Sequence, residues 1–174
     1  MLRRPVTWIV VAVLAVGGTL GLYWFQPWKL ITDKEVSETL AAIPVSPPAA
    51  PSAAPEGPAV VRQGMFVTHE HETSGTARII RNADGSHRLE LVALDTSNGP
   101  DLRVWLSDQP VKEGIAGWRV FDDGAWLELG RLKGNKGDQA YEIPAGTDLD
   151  KLGSVSIWCK RFAVSFGAAT LARV

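Results

Sequence analysis

The sequence predicts an all-β domain, an antiparallel sandwich or barrel, behind one N-terminal transmembrane helix and a Pro/Ala-rich linker. Three observations carry this: an uncharged apolar run near the N-terminus, a Pro/Ala/Ser stretch at 44–58, and period-two alternation broken by turn signals from residue 60 onward. The boundaries follow as 1–28 for a cytoplasmic tip and signal-anchor, 29–59 for an extracytoplasmic linker and 60–174 for the β domain.

The first element is Val6–Phe25, "VTWIVVAVLAVGGTLGLYWF", without a charge over 20 residues. At about 1.5 Å per residue, that length crosses a hydrocarbon core of about 30 Å. Trp8 at one end and Tyr23, Trp24 and Trp28 at the other stand where amphipathic rings favour the headgroup region. Arg3 and Arg4 precede the run, against Lys29 after it, so the positive-inside rule puts the N-terminus in the cytoplasm and the rest outside. A cleaved signal peptide has a shorter apolar region ending at small residues. "AVG" at 15–17 offers such a site, but the run continues through Leu20, Leu22 and the aromatic cluster. The expectation is an uncleaved single-pass anchor in the cell membrane.

Residues 33–43, "DKEVSETLAAI", have the composition of a short helix beginning at Asp33, with Leu40 and Ile43 on one side. "PVSPPAAPSAAPEGP", 44–58, favours extended polyproline-like conformations. At about 3.1 Å per residue it would act as a spacer holding the next domain some 40–50 Å from the anchor.

Strands come next. "TARIIRN" and "HRLELVALDT" flank Asp84-Gly85, a hairpin signal because that turn needs positive φ. "SNGPD" breaks the chain before "LRVWLS", where Leu102, Val104 and Leu106 share one face and Arg103 and Trp105 the other. "AWLELGRL" and "DQAYEIP" flank "KGNKG", read as another hairpin turn, and "GSVSIWCKRFAVSFGAATL" supplies the last strands. A net charge of -1 without a basic cluster argues against nucleic acid as a partner.

"GMFVTHEHETSGTARI", "NGPDLRVWLS", "LGRLKGNKGDQAYEIP" and "SVSIWCKRFAVSFGAATL" together resemble the successive motifs of the DM-thirteen, or electron-transfer DM, domain family over residues 64–171. The resemblance implies a small β-rich extracytoplasmic module. In bacteria such a module commonly stands alone behind a membrane or lipoprotein anchor. It also implies that Cys159 matches the family's cysteine, for which a redox role has been proposed, and that His71 matches the motif histidine.

The residues themselves leave two readings of Cys159 open. On a strand Val155, Ile157 and Cys159 point one way and Ser154, Ser156, Trp158 and Lys160 the other; the apolar parity then flips to Phe162, Val164 and Phe166. A one-residue bulge at Lys160 or Arg161 would produce that shift beside Cys159. On one reading Cys159 is a small hydrophobe of the core. On the other it is a redox thiol, with His71 and Trp158 as candidates for a cofactor-binding pocket beside it. The single cysteine excludes an intramolecular disulfide and a CxxC dithiol, so redox cycling needs a partner protein, a second copy or a prosthetic group. CxxCH haem attachment is excluded, whereas non-covalent haem with Cys159 as axial ligand fits the residue type.

His69 and His71 of "HEH" would share a strand face with a spacing compatible with a metal, but two ligands do not make a site, and an exposed pair is expected. Asp95 and Asp101 around "SNGPD" match no recognised calcium loop, and no catalytic Ser-His-Asp, HExxH or dinucleotide signature occurs. The function expected is a membrane-anchored module with an electron-transfer role centred on Cys159; the alternative is a non-catalytic envelope-binding module with Cys159 as core packing.

Overall fold

The computed structural model describes residues 3–43 and 57–174. Helix α1, Arg3–Phe25, contains one stretch, Pro5–Phe25, long and apolar enough to cross a membrane, with none of it buried against the protein. Pro27 stops it: the residue before a proline is driven from the α region, and Gln26 takes φ 46°. A 3-10 turn, Pro27–Ile31, leads away.

Eleven strands form two sheets: β1 (Glu35–Ser37), β2 (Ala59–Met65), β3 (Val67–Thr68), β4 (Thr73–Arg81), β5 (His87–Thr96), β6 (Leu102–Ser107), β7 (Trp126–Arg131), β8 (Lys136–Ile143), β9 (Ser154–Cys159), β10 (Val164–Thr170) and β11 (Ala172–Arg173). One sheet has the order β1-β8-β5-β4-β2-β11 and the other β3-β10-β9-β6-β7. All pairings are antiparallel except β1 with β8. The expected all-β sandwich is therefore observed.

Between the sheets Leu89, Leu91 and Leu94 of β5 meet Val104 and Leu106 of β6 and Ile157 of β9 in one apolar cluster. The alternation expected along β6 holds: Leu102, Val104 and Leu106 face that core, while Trp105 joins a second cluster with Phe121, Trp158 and Ala168. The Asp84-Gly85 turn also forms, with Gly85 at φ 81° and the Ser86 amide donating to the Asp84 carboxylate at 2.9 Å.

Several expectations are corrected. Residues 33–43 contain no helix among the described elements; β1 lies parallel to β8, with Val36 opposite Gly137. The side chains that suggested a helix are used across the sheet instead: Asp33 accepts from Asn135 at 2.8 Å, and Glu38 takes the Lys133 ammonium at 2.8 Å. Gly137, at φ 95°, leaves room for this strand, since a Cβ there would stand 2.0 Å from the Val36 carbonyl oxygen. "KGNKG" is consequently no hairpin turn: it carries the chain from β7 in one sheet to β8 in the other.

Most of the expected spacer, residues 44–56, lies outside the described residues. The strands before and after it in the chain, β1 and β2, belong to the same sheet.

Candidate functional site at the end of the N-terminal helix

β9 ends at Cys159, and the chain reverses through Lys160–Ala163 into β10, pairing Val164 with Cys159. The parity flip thus comes from a hairpin turn rather than from a bulge at Lys160 or Arg161. Ala163 supplies the positive φ, 49°, that glycine or asparagine usually provides. The one register shift along this pair falls further on, between Ser165 and Gly167.

This turn meets the end of α1. The Arg161 Nη1 donates to the carbonyls of Tyr23 at 3.2 Å and Trp24 at 2.6 Å, and its guanidinium stands 5.3 Å from the Trp24 ring centroid. Carbonyls of a last helical turn have no intrahelical partner and carry the negative end of the helix dipole, so a guanidinium is well matched to them. Phe25 stacks on Phe162 at 5.7 Å, and the Lys29 ammonium donates to the Gly99 carbonyl at 3.1 Å.

Cys159 is 0% exposed and belongs to the inter-sheet core. Burial pushes its thiol above the ordinary cysteine value; the main-chain amides of Phe162, Asp101 and Arg161 oppose that shift, and the charge of Glu70 adds to it. Its sequence neighbours point elsewhere: Lys160 reaches Glu128 at 3.5 Å, and Arg161 the helix end. A haem iron bound at the sulfur needs an open coordination face, and Cys159 is fully enclosed, so axial ligation by Cys159 does not fit this geometry.

Trp158 faces the opposite side of the sheet from Cys159. Its ring lies 5.1 Å from Trp105, which stacks on Trp126 at 4.0 Å with the planes 4° apart. His71 is placed at the end of the domain that meets α1, with its ring 4.0 Å from that of Phe166 and its Nε2 3.5 Å from the Glu70 carboxylate. It lines a cavity of about 260 Å³ together with Phe25, Leu30, Pro100, Phe162 and Phe166. Cys159 is not among the cavity's lining residues, although Phe162 and Phe166 share its core cluster. The structure therefore brings His71 near the Cys159 end of the sheet and sets Trp158 on its other face.

The two histidines do not share a face, and His69 is not exposed. β3 ends at Thr68, and the chain bends there. The His69 Nε2 faces the Lys112 carbonyl at 3.0 Å, so that nitrogen carries the proton, and Nδ1 accepts from the Ser165 hydroxyl at 2.8 Å. Ser156 Oγ in turn donates to Ser165 Oγ at 2.9 Å. Burial pushes the His69 pKa below the ordinary histidine value and keeps the ring neutral; the Lys112 carbonyl bond opposes this. This network was not read from the sequence, although the serines alternating with apolar residues in β9 marked a second, polar side.

Asp95 and Asp101 face cations: Asp95 lies 3.5 Å from Lys136, and Asp101 2.8 Å from Arg103. Burial alone would raise the Asp101 carboxyl, but Arg103, with Arg131 and Arg161, brings it below its usual value. No group of three or more His, Cys, Asp or Glu side chains placed to hold a metal occurs among the described residues.

The fold and this end of it define a two-sheet β domain with one enclosed thiol, docked on the end of an apolar helix. The model of the family described as Electron transfer DM13 matches residues 65–171, and the chain belongs to that family. No curated protein and no solved structure matches it.

Proposed function

We propose that the protein is a membrane-anchored extracytoplasmic electron-transfer module whose redox role centres on the Cys159 end of the sandwich. Membership of the Electron transfer DM13 family supports the role, and Arg3 and Arg4 ahead of the apolar helix support the orientation. The observation that carries the placement is the docking of the Lys160–Ala163 turn, next to Cys159, on the end of α1. In this arrangement Cys159 is a shielded sulfur and not an exchanging thiol, because thiol exchange requires thiolate character and access.

A second reading is favoured by the zero exposure and raised pKa of Cys159: an envelope-binding module in which the sulfur is core packing. A lone shielded thiol supplies no reversible couple of its own, so voltammetry of the full-length protein taken from its native membrane into lipid nanodiscs, carrying its bound prosthetic group or redox partner with it, separates the two. A reversible wave that is lost in Cys159→Ala supports the first, whereas no wave, or one that Cys159→Ala leaves unchanged, overturns a role centred on Cys159. For the orientation, an impermeant amine reagent should label domain lysines in intact cells; labelling only after lysis reverses it.

A further inference from the structure

We propose that the cavity of about 260 Å³ between the end of α1 and the domain binds the headgroup of an isoprenoid quinone entering from the bilayer. This deepens the electron-transfer reading and rests on it for the choice of a redox-active lipid.

Position is the first argument. Phe25 and Leu30 form one wall, and both are largely solvent-exposed, so the cavity opens beside the last turn of the anchor, where a membrane helix meets the headgroup layer. A lipid whose tail stays in the hydrocarbon can place its ring there without leaving the membrane. The cavity is smaller than the roughly 300–1,000 Å³ typical of sites that enclose a whole drug-sized ligand, which suits one ring with its tail outside.

The lining gives the second argument. Phe25, Phe162, Phe166 and Pro100 offer flat apolar surfaces for a ring, and the Phe25–Phe162 stack and the His71–Phe166 contact hold several of them in place. Lys29 has three donors, of which one bonds the Gly99 carbonyl, and His71 Nδ1 has no hydrogen-bond partner among the described residues. Such groups on the walls match a ring bearing carbonyl or hydroxyl oxygens.

Charge argues against a phospholipid headgroup here. Glu70 is set against His71, leaving Lys29 as the only lysine or arginine among the described residues on this wall. The cations a phosphate needs are instead grouped in the adjoining cavity of about 440 Å³, lined by Lys29, Lys34, Arg131 and Lys133. The smaller cavity suits a neutral amphiphile.

The test uses the full-length protein in phosphatidylcholine nanodiscs, with a photoreactive azido-ubiquinone carrying a short isoprenoid tail. Saturable labelling is expected on peptides containing residues 25–30 or 162–166, displaced by unlabelled quinone but not by phosphatidylglycerol. Leu30→Trp, at a side chain 58% exposed and therefore tolerant of change, fills the cavity and should weaken labelling at least tenfold. His71→Leu removes a hydrogen-bonding wall and should weaken it about three- to tenfold, with thermal midpoints showing that both variants fold. Labelling that fails to saturate, is displaced equally by phosphatidylglycerol, or is unchanged in both variants overturns the site. Absent labelling with the Cys159-dependent wave intact removes the quinone site alone. Labelling without the wave leaves the site standing and removes the redox role of Cys159.

Discussion

The two sheets share one core but treat their outer faces differently. The central strands of the five-stranded sheet are buried on both sides: every residue of β9 is buried, and the excursion between β6 and β7 lays Phe121 over Trp105 and Trp158. The six-stranded sheet covers its outer face with charge. Glu90, itself 0% exposed, is clasped by Arg78 and Arg88 at 2.8 Å and by the Ala41 amide at 2.7 Å. The sheet that carries Cys159 is thus sealed by hydrocarbon and a neutral histidine, and the other by ion pairs contributed partly from the segment after β1. Cys159 points the other way, into the core that the two sheets share, and burial there keeps its thiol protonated and out of reach.

The largest effect that would break this contrast is Phe121→Ala. Removing a fully buried ring should cost about 3–5 kcal/mol, read by denaturant unfolding. A loss below about 1 kcal/mol would mean that the excursion is not the seal of the outer face. On the other sheet, Glu90→Ala leaves two arginines facing each other. Because both are partly exposed, the cost should be nearer 2 kcal/mol than the 3–5 typical of a fully enclosed pair. An unchanged midpoint there would show that the charges are ornamental to stability.

His69→Ala removes the hydrogen bonds to the Lys112 carbonyl and the Ser165 hydroxyl, which keeps Ser156 and the Gly167 carbonyl as partners, and should cost about 1 kcal/mol. It also carries a pH signature. The His69 pKa is depressed in the folded state, so below the ordinary value of 6.5 the unfolded chain binds a proton that the folded ring refuses. Stability is therefore complete above that value and declines as pH falls below it. Thermal midpoints between pH 7 and 5 should show this decline reduced in His69→Ala; an identical slope would remove the neutral histidine from the account. The smallest effect is a gain: Ala163→Gly, at φ 49°, should stabilise by about 0.5–1 kcal/mol, and a loss would show that the alanine methyl is needed in its packing against Trp105 and its neighbours.

Local patterns were legible where one physical cause dominated. The helix followed from an uncharged apolar run of membrane-spanning length, the β4–β5 hairpin from Asp84-Gly85, and the inward parity of Cys159 from the two-residue period of β9. Legibility failed where a distant partner outweighed local preference. Glu35–Ser37 became a strand because β8 offered an edge and Gly137 room for it, and nothing in "DKEVSETLAAI" announces that edge. "KRFA" carries no glycine or asparagine, so its turn was read as a bulge. Of the candidate site, Cys159 and His71 were found as residue types, but the wall between them and the helix end was not.

By itself the sequence determined the anchor-length helix, the β class of the domain, the family and the face on which Cys159 lies. These rest on composition, period and motif order, which are properties of neighbours along the chain. Only the tertiary structure decided that the sulfur is sealed, that the two histidines part, and that the domain docks on the end of α1 through Arg161 and Phe162. Burial, pKa and cavities are set by what other strands and turns bring into contact, and residues more than a hundred positions apart supply those contacts here.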